Sequence, residues 1–267
     1  MSKETIQRGD VHDKHMKYVI LRLDYSGVTD SKALTRLFDD RFPKAFNERL
    51  NVVTREVSLT LRKEDLKAIS DAVSVPVSVI EKEQIVRYNG LKTVKGDVTL
   101  DISQFYICMT IKYDNNYEGL DKYLEYFKGA ITVFKNKIDY FCPRRLGIRK
   151  CRVQDFYTVD ELNTVFEKFV FDEDGFPIGK LGVLPREYRT YLGDETRNDV
   201  RVNIVRKAQL VKIKGEDKIW TSLDIDAHSD NPELLQKRDI GNIISEVNQF
   251  EFDVYKMCMR ECELVRK

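Results

Sequence analysis

The chain has 267 residues, and its 45 Lys and Arg nearly balance its 44 Asp and Glu, leaving a formal net charge of +1. The 14 Phe and 13 Tyr exclude a disordered chain, and the 13 Gly and 6 Pro exclude collagen-like or Gly/Pro-rich material. The balanced charge also excludes a protein that binds nucleic acid non-specifically through a global basic excess.

The sequence predicts a cytoplasmic protein that does not enter membranes. The first ten residues lack the apolar stretch of a signal peptide, and no segment approaches the roughly 18 apolar residues of a membrane span. The five cysteines are odd in number and form no Cys-x-x-Cys motif. Reduced thiols therefore explain them better than disulfides or a metal site.

The first half of the chain, residues 16–140, follows a polar leader over residues 1–15. Its apolar residues recur at every second position in some segments, as in strands, and at every third or fourth position in others, as in helices. Strands are predicted over 18–25, 52–61, 77–88, 98–102 and 105–113. Helices are predicted over 30–42, 64–73 and 117–138, the last with apolar residues at spacings of three and four.

The second half, residues 141–267, repeats this order of elements. Thr158 and Glu161 form a capping box that begins a short helix. Residues 214–218 form a hairpin turn between two strands, and a helical region closes the chain over 232–265. The remaining strands are predicted over 144–153, 188–192, 199–213 and 218–227.

The two halves resemble each other, which predicts an internal duplication. The first helices align at an offset of 128 and the closing helices at an offset of 123. In the closing pair, Leu120, Leu124, Phe127, Ile131 and Phe134 align with Ile243, Val247, Phe250, Val254 and Met257. We expect an α+β fold of tandem β-α-β(3-4)-α repeats, with mainly antiparallel curved sheets and helices packed on one face. This order is similar to the saddle of TATA-binding proteins, a likeness of topology only.

A basic segment joins the halves. Residues 128–152 contain eight Lys and Arg and one acid, a local charge of +7. Alternation along a strand places Arg144, Lys150 and Arg152 on one face and Arg145 and Arg149 on the other. These five residues form the predicted site for an anionic partner, either an acidic protein or nucleic acid. The alternative is an ordinary surface of partly ion-paired side chains.

An acidic stretch follows at Asp224-x-Asp226-x-His228-x-Asp230. In a strand these four side chains share one face, and clustered carboxylates with a histidine suit Mg²⁺ or Mn²⁺. Leu223, Ile225 and Ala227 take the opposite face, so a solvated polar face explains the pattern without a metal. We predict no metal and no cofactor, with Asp224, Asp226 and His228 as the alternative metal ligands.

Several stretches resemble a sporadically distributed family of bacterial and archaeal proteins of about this length. They are Val19-Ile-Leu-Arg-Leu-Asp24, Arg41-Phe-Pro43, the helix with Tyr123 and Phe127, Arg145-Leu-Gly-Ile-Arg149 and Leu223-Asp-Ile-Asp226. The family's central motif reads Arg-x-Gly-Leu-Arg-Tyr-x-Asn. Gly147, Ile148 and Arg149 follow it, whereas Lys150 replaces Tyr and Arg152 replaces Asn. The resemblance implies no established activity, and the family's patchy distribution is typical of defence or toxin–antitoxin loci.

Together these features predict a binding protein rather than an enzyme. The sequence has no Walker loop, dinucleotide-binding loop, Gly-x-Ser-x-Gly or His-Glu-x-x-His motif. We expect a regulatory or recognition subunit with a protein partner, in a prokaryotic defence-type locus. Two alternatives remain open. One is a nucleic-acid-binding saddle that uses the basic strand over 144–152. The other is a metal-dependent hydrolase that uses Asp224 and Asp226.

Overall fold

A nine-stranded antiparallel sheet with helices forms the protein, in the strand order β2-β3-β4-β5-β1-β6-β9-β8-β7. The computed structural model describes residues 3, 6–7, 15–26, 48–59, 84–95, 98–102, 105–113, 119–137, 141–171, 186–193 and 200–264. The α+β class predicted from the sequence is confirmed. The predicted helices over 30–42 and 64–73, and the Arg41-Phe-Pro43 motif, lie outside the described residues.

The strand predicted over 77–88 shares only residues 84–88 with a strand of the structure, whereas the other predicted strands match over most of their length. Nine strands are described. They are β1 (Met16–Ser26), β2 (Glu48–Leu59), β3 (Gln84–Lys95), β4 (Val98–Ile102), β5 (Tyr106–Lys112), β6 (Cys142–Phe156), β7 (Arg186–Gly193), β8 (Val200–Ile213) and β9 (Glu216–Ser229). The described helices are α1 (Leu120–Lys137), α2 (Val159–Val165), α3 (Lys168–Phe171), α4 (Pro232–Lys237), α5 (Ile240–Cys258) and α6 (Glu261–Leu264). Lys214 and Gly215 have positive φ angles of 53° and 88°, as a tight turn between β8 and β9 requires.

One continuous sheet replaces the separate sheets that the sequence predicted. The first strands of the two halves, β1 and β6, pair with each other in antiparallel register, with Leu21 opposite Ile148 and Arg22 opposite Gly147. Each of these strands also pairs with the last strand of its own half, β1 with β5 and β6 with β9. The junction of the halves therefore lies in the middle of the sheet.

The sheet has two chemically different faces. Strand alternation turns Leu21, Leu146, Ile148 and Ile225 to one side, where all four are fully buried. Helix α5 packs on this side across β6, β8 and β9, and we call it the helix face. The opposite side carries Arg22, Arg145, Arg149 and Arg201, and we call it the arginine face.

The closing helical region is three helices rather than one. Asn231 caps α4, and the Asp239 carboxylate accepts a hydrogen bond from the Asn242 amide at the start of α5. The predicted apolar seam holds at Ile243, Val247 and Val254, which are buried. It is wrong at Met257, which is 57% exposed because α5 turns Glu251, Tyr255 and Cys258 inward instead.

Candidate partner-binding site

Two of the five predicted cations, Lys150 and Arg152, lie on the helix face. The Lys150 amine is 2.6 Å from Oε2 of Glu251 and donates a second hydrogen bond to Oδ1 of Asn248 at 2.8 Å. The Arg152 guanidinium is 2.9 Å from Oε1 of the same glutamate. All three charged side chains are buried, so β6 and α5 share an internal ionic cluster.

Aromatic and sulfur groups surround this cluster. The Arg152 guanidinium lies 3.8 Å from the centroid of the Tyr255 ring, a cation–π contact. Burial raises the pKa of the nearby Cys258 thiol to about 12, despite the opposing charge of Arg152. Lys150 and Arg152 therefore face the core, where a partner outside the fold cannot reach them. Among the five predicted cations, only Arg144, Arg145 and Arg149 remain outside it.

Arg145 occupies the centre of the arginine face. Its Nη2 donates to both carboxylate oxygens of Asp226 on β9, at 2.8 and 2.6 Å. Its Nη1 lies 3.7 Å from the Asp24 carboxylate on β1. This guanidinium thus joins carboxylates from the two halves of the chain across β6. Contacts with carboxylates on two different strands restrict the orientation of this guanidinium.

Gly147 is the residue of β6 that lies too close to β9 to carry a side chain freely. A Cβ at this position would lie 2.9 Å from the Ala227 carbonyl oxygen, 3.0 Å from Cβ of His228 and 3.5 Å from Nη1 of Arg145. The first two contacts are closer than packed atoms accept. A side chain at position 147 would therefore disturb the β6–β9 pairing, whereas its distance to Arg145 is an ordinary van der Waals contact.

Arg149 forms a bidentate pair with Asp224 on this face. Its Nε donates to both oxygens of Asp224, at 2.8 and 2.9 Å, and its Nη2 donates to the same carboxylate. The hydrogen bond to Asp224 raises the pKa of Arg149. The aspartate is nearly buried, whereas the arginine side chain remains 51% exposed. Asp224 therefore holds one edge of a guanidinium whose other side faces solvent.

Arg144 departs from the predicted alternation. The sequence places it with Lys150 and Arg152, but it is exposed and donates to the Ser26 hydroxyl at 3.1 Å. The pairing of β1 with β6 shifts register between Asp24 and Tyr25, opposite this residue. This irregularity interrupts the alternation of side chains between the two faces of the sheet. Arg144 therefore does not follow the alternation of the rest of β6.

The acidic stretch of β9 shares one face, as its spacing predicts. Each of its carboxylates contacts an arginine: Asp224 with Arg149, Asp226 with Arg145, and Asp230 with Arg201 at 2.6 Å. No cluster of three or more His, Cys, Asp or Glu suited to a metal ion occurs within the described part of the chain. The arrangement shown here is therefore a set of ion pairs.

His228 lies beside these pairs, opposite Gly147 on β6 and Arg201 on β8. Its side chain is buried, and burial together with the positive charge of Arg145 lowers its pKa. We therefore expect a neutral imidazole at pH 7.

Sequence reasoning missed Glu251, Arg22 and Asp24. Glu251 stands four residues after Val247 and four before Tyr255, so it lies on the buried stripe of α5, and this spacing was the available signal. Arg22 and Asp24 alternate with the core residues of β1, and Nε of Arg22 donates to Oδ1 of Asp24 at 2.7 Å. Their strand period was visible, but their position beside Arg145 depends on the β1–β6 pairing.

A scan against models of protein families finds no match, and neither does a search of curated proteins. None of the described helices combines the length and apolar character needed to cross a membrane.

Proposed function

We propose that the protein is a non-enzymatic binding protein that recognises a protein partner through the arginine face. One observation carries the proposal: the exposed arginines of this face are held in place by aspartates, and exposed tyrosines lie beside them. Tyr18 is 46% and Tyr191 is 56% exposed. Arginine and tyrosine are the residues that contribute most often to the affinity of protein interfaces.

Preorganisation makes these arginines suited to binding. Arg22, Arg149 and Arg201 each keep nearly half of the side chain exposed while an aspartate fixes the guanidinium. A partner that binds a fixed side chain avoids part of the entropy cost of ordering it. The free faces of these guanidiniums then offer stacking and hydrogen bonding to aromatic and carbonyl groups.

The charge balance of this face favours a protein over nucleic acid. Among the described residues of the central strands, four arginines alternate with Asp24, Asp224, Asp226 and Asp230, so these residues form no basic stripe that could follow a phosphate backbone. The nucleic-acid alternative needed Arg144, Arg145, Arg149 and Lys150 on one contiguous surface, whereas Lys150 is buried on the opposite side of the sheet.

We also infer that the two halves arose by duplication. The pairing of each half's first strand with its own last strand, and of the two first strands with each other, supports this inference. By its resemblance to the sporadically distributed family, we place the protein in the cytoplasm, as a partner subunit of a prokaryotic defence or toxin–antitoxin type locus.

Site-specific photo-crosslinking in the native cell tests the proposal. Tyr18→p-benzoylphenylalanine places the crosslinker on the arginine face, and Met257→p-benzoylphenylalanine places a matched control on α5. We expect a nuclease-resistant adduct with one protein from position 18 and none from position 257. The captured protein, once purified, should then bind the full chain in titration calorimetry.

Arg149→Ala then measures the contribution of the arginine face to that purified complex. Loss of a central interface arginine is expected to weaken binding by about tenfold or more. Arg238→Ala is the control, since Arg238 is a partly exposed arginine paired with Glu246 on the helix side of the molecule. An adduct that forms only from position 257, or that nuclease removes, would contradict the proposal.

A further inference from the structure

The outer edge of β7 is a second candidate binding surface of the fold. Strand β7 stands at the end of the sheet order, and β8 is the one described strand that pairs with it. An edge strand presents alternate amide and carbonyl groups that an added strand can pair with.

This edge is held firmly from the helix face. Arg206 of β8 donates from Nη2 to the Thr190 hydroxyl at 2.8 Å and from Nη1 to the Phe169 carbonyl of α3 at 3.0 Å. The guanidinium thereby ties β7 to β8 and to α3. Because β7 is already fixed, another strand can pair with it at a small entropy cost.

On the arginine face the β7 edge is positively charged. Glu187 accepts from Nε of Arg189 at 2.8 Å and lies 2.6 Å from the amine of Lys207, so two cations share one carboxylate. Those hydrogen bonds, with Lys207 first, lower the pKa of Glu187, which therefore stays ionised. The Arg189 side chain is 78% exposed, and Tyr191 follows it on the same face.

We propose that the outer edge of β7 binds an extended acidic segment of a partner protein, which joins the sheet as an additional strand. Strand alternation would place every second side chain of that segment on the arginine face. Carboxylates at those positions would meet Arg189 and Lys207, while the main chain pairs with β7. This site shares Tyr191 with the surface of the proposed function, but it does not use Tyr18 or the central arginines on which the experiments for that function depend.

The cation excess argues against a second copy of the chain as occupant. Antiparallel pairing of β7 with itself can place Arg189 directly opposite its symmetry mate, which is destabilising. A shift of two residues instead places Arg189 opposite Glu187 of the second copy, but that carboxylate already pairs with Arg189 and Lys207 of its own chain, so each edge keeps one cation in excess. Charge complementarity therefore favours an acidic segment.

Fluorescence anisotropy with the full chain tests this site. The probe is a labelled eight-residue peptide that alternates Glu and Thr, and the comparison probes are the Lys–Thr peptide and a thymidine octamer. We expect the Glu–Thr peptide to bind, the Lys–Thr peptide to bind at least about tenfold more weakly, and Arg189→Glu to weaken Glu–Thr binding by about tenfold. Arg238→Glu, on the helix side, should leave binding unchanged.

Hydrogen exchange locates the bound peptide. Amides of residues 186–193 should gain protection, while those of β1 and β6 should not change. Lys207→Glu is the second variant if Arg189→Glu alters the circular dichroism spectrum. Absence of Glu–Thr binding, equal binding of both peptides, binding of the thymidine octamer alone, or protection elsewhere would overturn the proposal. None of these outcomes affects the Tyr18 crosslink, so the two proposals fail independently.

Discussion

The amine of Lys150 lies 2.6 Å from Oε2 of Glu251, and only 3% of the lysine side chain remains exposed. The residue before it, Arg149, points to the other side of the sheet and keeps half of its side chain in solvent. One step along β6 therefore separates a cation of the core from a cation of the surface. The two should respond differently to loss of their partners.

Glu251→Gln should destabilise the fold strongly. It removes the carboxylate that both Lys150 and Arg152 contact, and breaking a buried ion pair in this way costs about 3–5 kcal/mol. Glu246→Gln is the matched control on the same helix, since Glu246 pairs with Arg238 at a partly exposed position and should cost less than about 1 kcal/mol. Urea unfolding of both variants measures the difference. Equal losses would mean that the cluster is not the source of stability.

The sequence predicted the positions of the strands better than it predicted which strands pair with each other. Alternation located β1, β5, β6, β8 and β9 to within a few residues, because each has one buried face. The single sheet was not predictable, because it depends on Leu21 meeting Ile148, far away in the chain. No local pattern encodes such a pairing.

The surroundings of the basic residues of β6 were equally hard to predict, because they too depend on residues far away in the chain. The alternation of side chains along the strand correctly placed Arg145 and Arg149 on one face of the sheet and Lys150 and Arg152 on the other. Continuing the alternation from Leu146 and Ile148 would have placed Lys150 and Arg152 inside the fold. The sequence alone does not favour that placement, because buried lysine and arginine are rare without a partner, and the partner, Glu251, lies a hundred residues away.

Gly147→Ala should destabilise the protein by about 1–3 kcal/mol, because the new methyl group would press on the Ala227 carbonyl and on His228 across the β6–β9 pair. Gly129→Ala is the control. A Cβ at position 129 has no neighbour within 4 Å, and in α1 the change should stabilise by about 0.5–1 kcal/mol. Thermal unfolding compares the two. A Gly147→Ala protein as stable as the parent would show that β6 and β9 can separate freely at this point.

The His228 imidazole should titrate below its ordinary range, because burial and then the charge of Arg145 disfavour its protonated form. In the unfolded chain the pKa returns to its usual value of about 6.5. The folded state then binds fewer protons, so this contribution to stability is present above pH 6.5 and is lost as the pH falls through the folded pKa. NMR titration of the histidine ring measures the shift.

Arg145→Gln separates the two causes of that shift. Removing the guanidinium should raise the pKa of His228 toward its ordinary value while burial keeps it from recovering fully. Arg238→Gln, on the helix side, should leave it unchanged. A pKa that does not move in Arg145→Gln would assign the whole shift to burial.

The five cysteines should differ sharply in reactivity toward a thiol reagent at pH 8. Cys262 is exposed and should react first, whereas burial raises the pKa of the Cys258 thiol to about 12 and keeps it protonated and shielded. Cys108 and Cys151 also have pKa values raised by burial, and Asp224 raises that of Cys151 further, so both should react slowly. Timed labelling with mass spectrometry of peptides gives the order. Cys262→Ser should remove the fast phase alone, and modification of Cys258 before global unfolding would mean that α5 detaches from the sheet in the native state.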